Sequence, residues 1–229
     1  MNYQLKPDIH ACIASDVAIF LDLSEQRYFY LKSGESEKFA ELCKLQTGSV
    51  IPKHLESWVR TLEERGLIMQ ADTHIGSHLL PTYEPPRSSL FDEASIDRPL
   101  MSVRSLFSLF VAVLQVNTLW RRRNLSAAIV NVRRQAGRNG TITKSQDLCR
   151  RQSLRTFQVI IPLLITVDDR CLFRSLLLTK YLSLMSVPAE IVIGVQFDPF
   201  AAHCWVQSDG IVLNDHLETV LKFTPIFVA

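Results

Sequence analysis

A histidine and an aspartate lie close together near the C-terminus, in the stretch AHCWVQSDGIVLND at residues 202–215. Two short strands joined by a polar turn that contains glycine are typical of a β-hairpin. With the three-residue loop Ser208-Asp209-Gly210, the register of this hairpin places His203 opposite Asp215. Opposed Cβ atoms lie about 4.5–5.5 Å apart, so a carboxylate can accept a hydrogen bond from an imidazole there.

The alternative is a two-residue loop, which shifts the register by one residue and places His203 opposite His216. We favour the three-residue loop, because its glycine takes the left-handed position that such a loop requires. A single histidine in a strand is more often a core or edge residue than a catalytic one. An aspartate directly across from it favours a functional pair.

Cys171 is the thiol that could work with such a pair. It falls in the first turn of a predicted helix, in the stretch VDDRCLFRSLLLTKYLSLMS, which begins with two aspartates suited to a cap. Backbone N–H groups and the helix dipole lower the pKa of a thiol at a helix N-terminus, and a nearby imidazolium lowers it further. Cys204 must point to the opposite face of its strand from His203, and Cys149 lies in a basic helical stretch, so both are predicted to be structural.

A thiol on a helix, an imidazole on a strand and a carboxylate on the next strand form the set that papain-like peptidases and transglutaminases use. The carboxylate orients the imidazole, the imidazole takes the thiol proton, and the thiolate attacks an acyl carbonyl. Cys171, His203 and Asp215 are therefore the predicted catalytic residues. The same triad serves hydrolysis and acyl transfer to an amine, so peptidase and transglutaminase both remain open.

The elements that must position this triad are predicted to form an α+β protein with two domains. Residues 1–72 are predicted to form a small β-meander followed by two helices, and residues 100–229 helices followed by strands. Between them, residues 73–99 contain four prolines and no sustained periodicity, as is typical of a linker. The predicted strands are 9–13, 17–23, 28–31, 191–195, 202–207 and 211–215. The predicted helices begin after Gly34, after Pro52, within 100–135, at 145 and near Cys171. The helix after Pro52 is predicted to end in a cap at Gly66.

The composition predicts a globular protein, because 47% of the residues are apolar and 21% are charged. The five cysteines contain no CxxC pair, which argues against a disulfide framework and a zinc ribbon, and we predict no metal or cofactor. The first residues lack a basic segment followed by an apolar one, so a cytoplasmic location is predicted. Polar residues interrupt the apolar stretch at 100–135, which is predicted to be a core helix and not a stable membrane span.

Positive charge is concentrated in residues 120–155, which hold ten lysines and arginines and one acidic residue. Such a patch behind a small winged-helix-like N-terminus raises a second hypothesis, a nucleic-acid-binding regulator. The second N-terminal helix, LESWVRTLEERG, carries too many glutamates to approach phosphates easily. We therefore expect no nucleic acid partner and interpret the patch as a solvated helical face, or as a docking surface for the acidic N-terminal module or for a partner enzyme.

The stretch from Cys171 to Asp215 also resembles the lasso peptide biosynthesis B proteins, whose core is transglutaminase-like. The shared motifs are Cys-Leu-x-Arg-Ser-Leu, Ile-Gly-Val, Pro-Phe, His-x-Trp-Val and a closing Asn-Asp. The resemblance implies a papain/transglutaminase-like cysteine peptidase in which Cys171 is the nucleophile, His203 the base and Asp215 the orienting acid. Two positions depart from the family pattern: Ser186 stands where glycine is frequent, and Cys204 where alanine or serine is usual.

Proteins of this family remove the leader from a ribosomally made precursor and hand the core peptide to an asparagine-synthetase-like cyclase, so the resemblance implies both as partners. Residues 1–72 resemble more weakly the PqqD-type precursor recognition element, which is winged-helix-like and holds the leader as an added strand. An edge strand and a helix would form the two walls of the leader site, although the same apolar residues fit an ordinary core equally well. The predicted leader-binding residues are Tyr28, Phe29, Tyr30, Leu31, Trp58 and Leu62.

Overall fold

The computed structural model describes residues 2–45, 50–71, 79–91, 102–122, 129, 142–164 and 171–229. Its mixture of helices and sheets confirms the predicted α+β class. The chain divides into two compact units, of which the first comprises Met1–Tyr83, Val195–Ala201 and Thr224–Phe227, and the second comprises the rest. The predicted domain limits at 1–72, 73–99 and 100–229 stay predictions.

The first unit contains two small antiparallel sheets and two helices. Its elements are β1 Asn2–Leu5, β2 Ile9–Ala14, β3 Val17–Asp22, β4 Arg27–Tyr30, α1 Ser33–Lys44, α2 Lys53–Glu64 and β5 Ile68–Ala71. Strands β2, β3 and β4 form the predicted meander, which is confirmed. The pairing of β1 with β5 was not predicted, because these short strands come from opposite ends of the unit.

Both helices of the first unit contribute buried side chains to one hydrophobic core with the meander. On α2, Leu55, Val59 and Leu62 recur at helical spacing, and each is at most 1% exposed. The helix is closed by Gly66, whose φ of +75° lies in the left-handed region. The N–H groups of Gly66 and Leu67 donate back to carbonyls of the last helical turn, which confirms the predicted cap.

Five strands form a third, mixed sheet in the order β10-β7-β8-β9-β6. Its strands are β6 Ser88–Ser89, β7 Glu190–Gln196, β8 Ala201–Ser208, β9 Ile211–Val212 and β10 Thr224–Val228. The remaining helices are α3 Val103–Arg121, α4 Lys144–Leu164, α5 Cys171–Leu184 and α6 Leu217–Val220. Strand β6 runs parallel to β9 and lies inside the segment predicted to be a linker.

Helix α5 is the central helix of the second unit. Phe173 and all residues from 175 to 182 are buried, which accounts for a sequence that is apolar around most of the helix. After the helix, Ser186 has a φ of +59°. The N–H groups of Ser186 and Val187 donate back to the carbonyls of Ser183 and Leu182, so a serine occupies a position that favours glycine.

Helix α3 packs one face against α5. Ser105 Oγ lies 2.5 Å from Tyr181 Oη, and the ring of Trp120 meets that of Phe173 edge-on at 5.2 Å. Its opposite face exposes large apolar side chains, among them Val103, Phe107, Phe110 and Leu114. Among the described residues α3 is the one helix long and apolar enough to cross a membrane by length and composition, and 28% of that apolar window is buried.

Some sequence predictions concern residues that lie outside the described ranges. They are the capping aspartates Asp168 and Asp169, the linker residues 73–78 and 92–99, and residues 123–128 and 130–141, which include part of the helical stretch predicted within 100–135.

Candidate active site

The hairpin of β8 and β9 has a two-residue turn, so the predicted three-residue loop is wrong. Ser208 pairs directly with Ile211. The turn residues Asp209 and Gly210 have φ values of +53° and +69°. Two successive positive φ values belong to a type I′ turn, whose twist matches that of the flanking strands and which Asp-Gly readily adopts.

His203 nevertheless contacts Asp215, because the chain leaves the ladder before it reaches that position. The observed register, if continued, would place His203 opposite His216. A backbone bond from Leu213 N–H to the Val206 carbonyl (2.9 Å) extends the ladder by one residue, and the chain then bends. Asp215 Oδ2 lies 2.5 Å from His203 Nε2. The predicted contact is present although the predicted register is not.

Cys171 begins α5, and its sulfur is hydrogen-bonded to the imidazole of His203. Since Nε2 of that ring bonds Asp215, Nδ1 is the nitrogen that remains for the thiol. The backbone N–H groups of Leu172 and Cys204 also donate to the sulfur. The three side chains predicted to be catalytic are thus brought together from one helix, one strand and the bend after the next strand.

The three side chains stabilise one another's charges. Burial raises the pKa of the Cys171 thiol, but the hydrogen bond and positive charge of His203, together with the backbone donors, outweigh burial and lower that pKa. The hydrogen bond to Asp215, followed by that to Cys171, raises the pKa of His203 to about 9. Burial raises the pKa of Asp215, but hydrogen bonds from His203 and from the His216 N–H hold it below its ordinary value. These shifts favour a thiolate–imidazolium pair over a neutral thiol and a neutral imidazole.

Two aromatic rings flank the imidazole. The ring centroids of Phe223 and Trp205 lie 5.2 and 6.3 Å from that of His203. Gly194 on β7 backs both rings, because a Cβ there would lie 2.8 Å from Trp205 Cζ3 and from Phe223 Cβ. The side chains of His203 and Asp215 are 20% and 19% exposed, so a substrate can reach them.

A buried polar network behind the triad was missed by the sequence analysis. Asn214 Oδ1 accepts a hydrogen bond from Val206 N–H at 2.8 Å, and its Nδ2 donates to Ser175 Oγ at 3.0 Å. Ser175 Oγ in turn donates to the carbonyl of Cys204 at 3.0 Å. Asn214 and Ser175 belong to motifs quoted from the sequence, but the spacing of those motifs does not reveal that they meet.

A second contact missed by the sequence analysis comes from β6. Ser89 Oγ donates to the backbone carbonyl of Asp215 at 2.6 Å and accepts from Phe91 N–H at 3.0 Å. Gln158 on α4 donates to the carbonyl of Phe91 at 2.9 Å. The two-residue strand therefore helps to hold the backbone on which the carboxylate is carried.

The predicted leader-binding residues divide into buried and accessible ones. Leu31, Trp58 and Leu62 are 4%, 7% and 0% exposed and belong to the hydrophobic core of the first unit, where they offer little surface to a leader. Phe29 is partly buried against that core, and Tyr30 is 63% exposed. Within the same unit the rings of Tyr28 and Tyr30 contact those of Phe200 and Phe197, with centroids 5.5 and 5.4 Å apart. Leader binding at these residues stays a prediction.

The cysteines differ in their readiness to ionise. All five are free thiols. Burial raises the pKa of Cys12 and of Cys43 to about 12 and also raises that of Cys204, whereas the pKa of Cys171 is lowered. In the part of the chain that the structure describes, no group of three or more histidine, cysteine or acidic side chains could hold a metal ion.

The sequence is similar to that of known proteins. The sequence profile of the transglutaminase-like superfamily matches residues 112–228, about half of the chain, a range that contains the candidate triad. The chain is also 30% identical over 112 residues to the microcin J25-processing protein McjB of Escherichia coli. That match covers 48% of this chain and 53% of McjB, so the chain spans about half the length of this relative. No solved structure matches the chain.

Proposed function

Because the chain belongs to the transglutaminase-like superfamily, we propose that it is a cysteine peptidase that removes the leader from a lasso peptide precursor. The observation that carries the proposal is the hydrogen-bonded series of Cys171, His203 and Asp215, in which the thiol pKa is lowered. Similarity to a protein that processes microcin J25 supports a peptide precursor as the substrate. An asparagine-synthetase-like cyclase would then close the ring of the released core peptide.

The geometry supports acyl transfer through the thiolate. Cys171 Sγ attacks the carbonyl carbon of the scissile peptide bond, and the carbonyl oxygen becomes an oxyanion. The N–H of Cys171 can donate to that oxyanion, because the first N–H groups of a helix have no acceptor in a preceding turn. His203 Nδ1 then gives its proton to the leaving amine, the C–N bond breaks, and a thioester acyl-enzyme remains.

Hydrolysis of the thioester completes the cycle. His203 Nδ1 takes a proton from a water molecule, the resulting hydroxide attacks the thioester carbonyl, and Cys171 leaves as a thiolate. Asp215 holds the ring through Nε2 in both steps. An amine in place of this water would give a transglutaminase product, so the acceptor distinguishes the two activities.

Leader recognition is proposed for the first unit, at β4, which is one of the two edge strands of the sheet β2-β3-β4. An extended leader can add to such an edge as a further strand, with main-chain hydrogen bonds supplying affinity. The contacts of Tyr28 with Phe200 and of Tyr30 with Phe197 form an aromatic surface beside this edge. Alternate apolar side chains of the leader would pack on it.

The basic segment at residues 120–155 gives little support to the alternative of a nucleic-acid-binding regulator. Arg150 is 3% exposed and donates to the Ser208 carbonyl at 3.0 Å. Arg150 and Arg151 both bond the carboxylate of Asp147. These two arginines are engaged in contacts within the protein, and residues 123–128 and 130–141 of the segment lie outside the described ranges.

The test is incubation of the purified protein with synthetic precursor peptide, followed by mass spectrometry. We expect the wild-type protein to produce leader and core fragments, and Cys171→Ala to bind the precursor with unchanged affinity without cleaving it. Cys43→Ala is the control, because its thiol is protonated in α1, and it should cleave at the wild-type rate. Cleavage by Cys171→Ala would contradict the proposal, and a crosslinked product without cleavage would identify the transglutaminase alternative.

A further inference from the structure

We infer that Asn214 is a positioning residue for the proposed peptidase, because its amide ends the β8–β9 ladder and ties α5 to β8 beside the triad. The inference rests on the proposed roles of Cys171, His203 and Asp215. Asn214 touches none of the reacting atoms. It determines how far the thiol and the carboxylate lie from the imidazole.

Asn214 replaces a backbone acceptor in the ladder. Val206 and Leu213 are opposed in the observed register, and Leu213 N–H donates to the Val206 carbonyl at 2.9 Å. In a regular antiparallel pair of this kind, Val206 N–H would donate back to the Leu213 carbonyl. It donates instead to Asn214 Oδ1 at 2.8 Å. The backbone is thereby released from the ladder, and Asp215 can turn toward His203.

Ser175 binds the other end of the Asn214 amide. It is fully buried, and its Oγ accepts from Asn214 Nδ2 and donates to the Cys204 carbonyl, each at 3.0 Å. Ser175 follows Cys171 by about one helical turn. Because the N–H of Cys204 also donates to the Cys171 sulfur, β8 is bound to α5 at two points one turn apart. These two points fix the distance between the helix that carries the thiol and the strand that carries His203.

These contacts require a side chain that both accepts and donates hydrogen bonds. An amide meets this requirement, because its oxygen accepts while its NH₂ group donates. Aspartate at position 214 would keep the acceptor for Val206 N–H and lose the donor to Ser175. Alanine would lose both and leave a buried N–H without an acceptor, which is costly enough to move the backbone.

The test is the pH dependence of Cys171 alkylation by iodoacetamide, quantified by mass spectrometry on the peptide that contains Cys171. This measurement needs no substrate. In Asn214→Ala we expect the imidazole and the thiol to separate. The midpoint of the alkylation profile should then rise by about one pH unit, which lowers the rate about tenfold at any pH well below the wild-type midpoint. Ser175→Ala removes the same link from the helix side and should shift the midpoint in the same direction.

Ser208→Ala is the matched control. It removes a buried side-chain hydrogen bond from β8 to the Pro188 carbonyl (2.5 Å), at the end of the strand away from the triad. This variant should lower the melting temperature and leave the alkylation midpoint unchanged. Its comparison with Asn214→Ala separates a general loss of stability from a change at Cys171.

A wild-type midpoint in folded Asn214→Ala and Ser175→Ala, with only the melting temperature lowered, would overturn the inference. If one of the two does not fold, the other decides, and Asn214→Asp gives a third variant that keeps the bond to Val206. Precursor cleavage is scored separately. A shifted midpoint in a protein whose wild type cleaves no precursor would support the role of Asn214 while the proposed function fails.

Discussion

Asp215 is the residue that controls the charge of the candidate site most directly, since its hydrogen bond is the largest cause of the raised His203 pKa. Asp215→Asn keeps the shape of the side chain and removes its charge. We expect the protein to fold and kcat/KM for precursor cleavage to fall by about 10⁴-fold, as it does for the same change in a serine protease triad. The pKa of His203 should fall back toward its ordinary value.

The pH dependence of kcat/KM gives the accompanying measurement. In the wild type the bonds to Asp215 and Cys171 raise the pKa of His203 to about 9, so the imidazolium that the proposed mechanism requires is lost only as the pH rises through that value. In Asp215→Asn the falling limb should move to lower pH. Asp209→Asn, at the exposed turn of the hairpin, is the control and should keep the wild-type profile. An unmoved limb in Asp215→Asn would mean that another group holds His203.

At the scale of elements, the sequence predicts those structures that repeat a pattern over several turns or residues. The apolar face of α2, its cap at Gly66 and the meander could be predicted, because the spacing of apolar residues and the residue types at the turns indicate the same elements. Strand β6 is two residues long and has no period to detect, whereas β9 lies within the strand predicted at 211–215 but ends at Val212. The predicted hairpin register was wrong, because Asp-Gly favours a two-residue type I′ turn and was interpreted as part of a three-residue loop. The contact of His203 with Asp215 was still correct, since the break in the ladder at Asn214 cancels the error of one residue.

Strand β7 must come close to its neighbours at Gly194. Gly194→Ala would place a methyl group 2.8 Å from Trp205 Cζ3 and Phe223 Cβ, the two rings that flank His203. We expect the free energy of unfolding to fall by about 1–3 kcal/mol and kcat/KM to fall as the imidazole is displaced. Gly34→Ala in α1 is the control, because its new Cβ would meet nothing within 4 Å. Melting temperature and cleavage rate check both variants, and unchanged values in Gly194→Ala would contradict this account.

The end of α5 carries a backbone strain that can be relieved. Ser186 has a φ of +59°, a conformation that costs a residue with a Cβ about 1–2 kcal/mol and costs glycine almost nothing. Part of the gain in Ser186→Gly is offset by the greater freedom of glycine in the unfolded chain, so we expect about 0.5–1 kcal/mol of added stability. Gly66→Ser, the reverse change at the end of α2, should destabilise. Denaturant unfolding measures both, and a lower midpoint for Ser186→Gly would disprove the strain.

At the scale of the whole molecule, the second unit could be interpreted from the sequence further than the first. Its triad depends on chemically distinctive residue types, whereas the first unit offers only apolar residues that fit a core and a peptide site equally well. Burial distinguishes a core residue from one that a peptide can reach. Leu62 has no exposed surface, whereas Tyr30 is 63% exposed. Phe197 and Phe200 could not have been assigned to the first unit from the sequence, because they are remote from it along the chain.

Leader recognition is therefore best tested in the full chain, with Tyr30→Ala and Phe200→Ala. Each removes an exposed aromatic side chain beside the β4 edge. Truncation of an aromatic anchor costs more than about 1 kcal/mol, so we expect the Kd for the leader to rise about tenfold. KM for the precursor should rise with it. The turnover number and the alkylation rate of Cys171 should stay unchanged, because neither residue belongs to the triad.

Val50→Ala is the control for this prediction, since Val50 is an apolar residue of the same unit that is 86% exposed and lies outside the sheet. It should bind the leader as the wild type does. Fluorescence anisotropy with a labelled leader peptide measures all three variants. If Tyr30→Ala and Phe200→Ala both keep the wild-type Kd, the leader does not bind at the β4 edge. A rise confined to these two variants would identify the aromatic surface as the part of the first unit that selects the precursor, because main-chain pairing alone is indifferent to side chains.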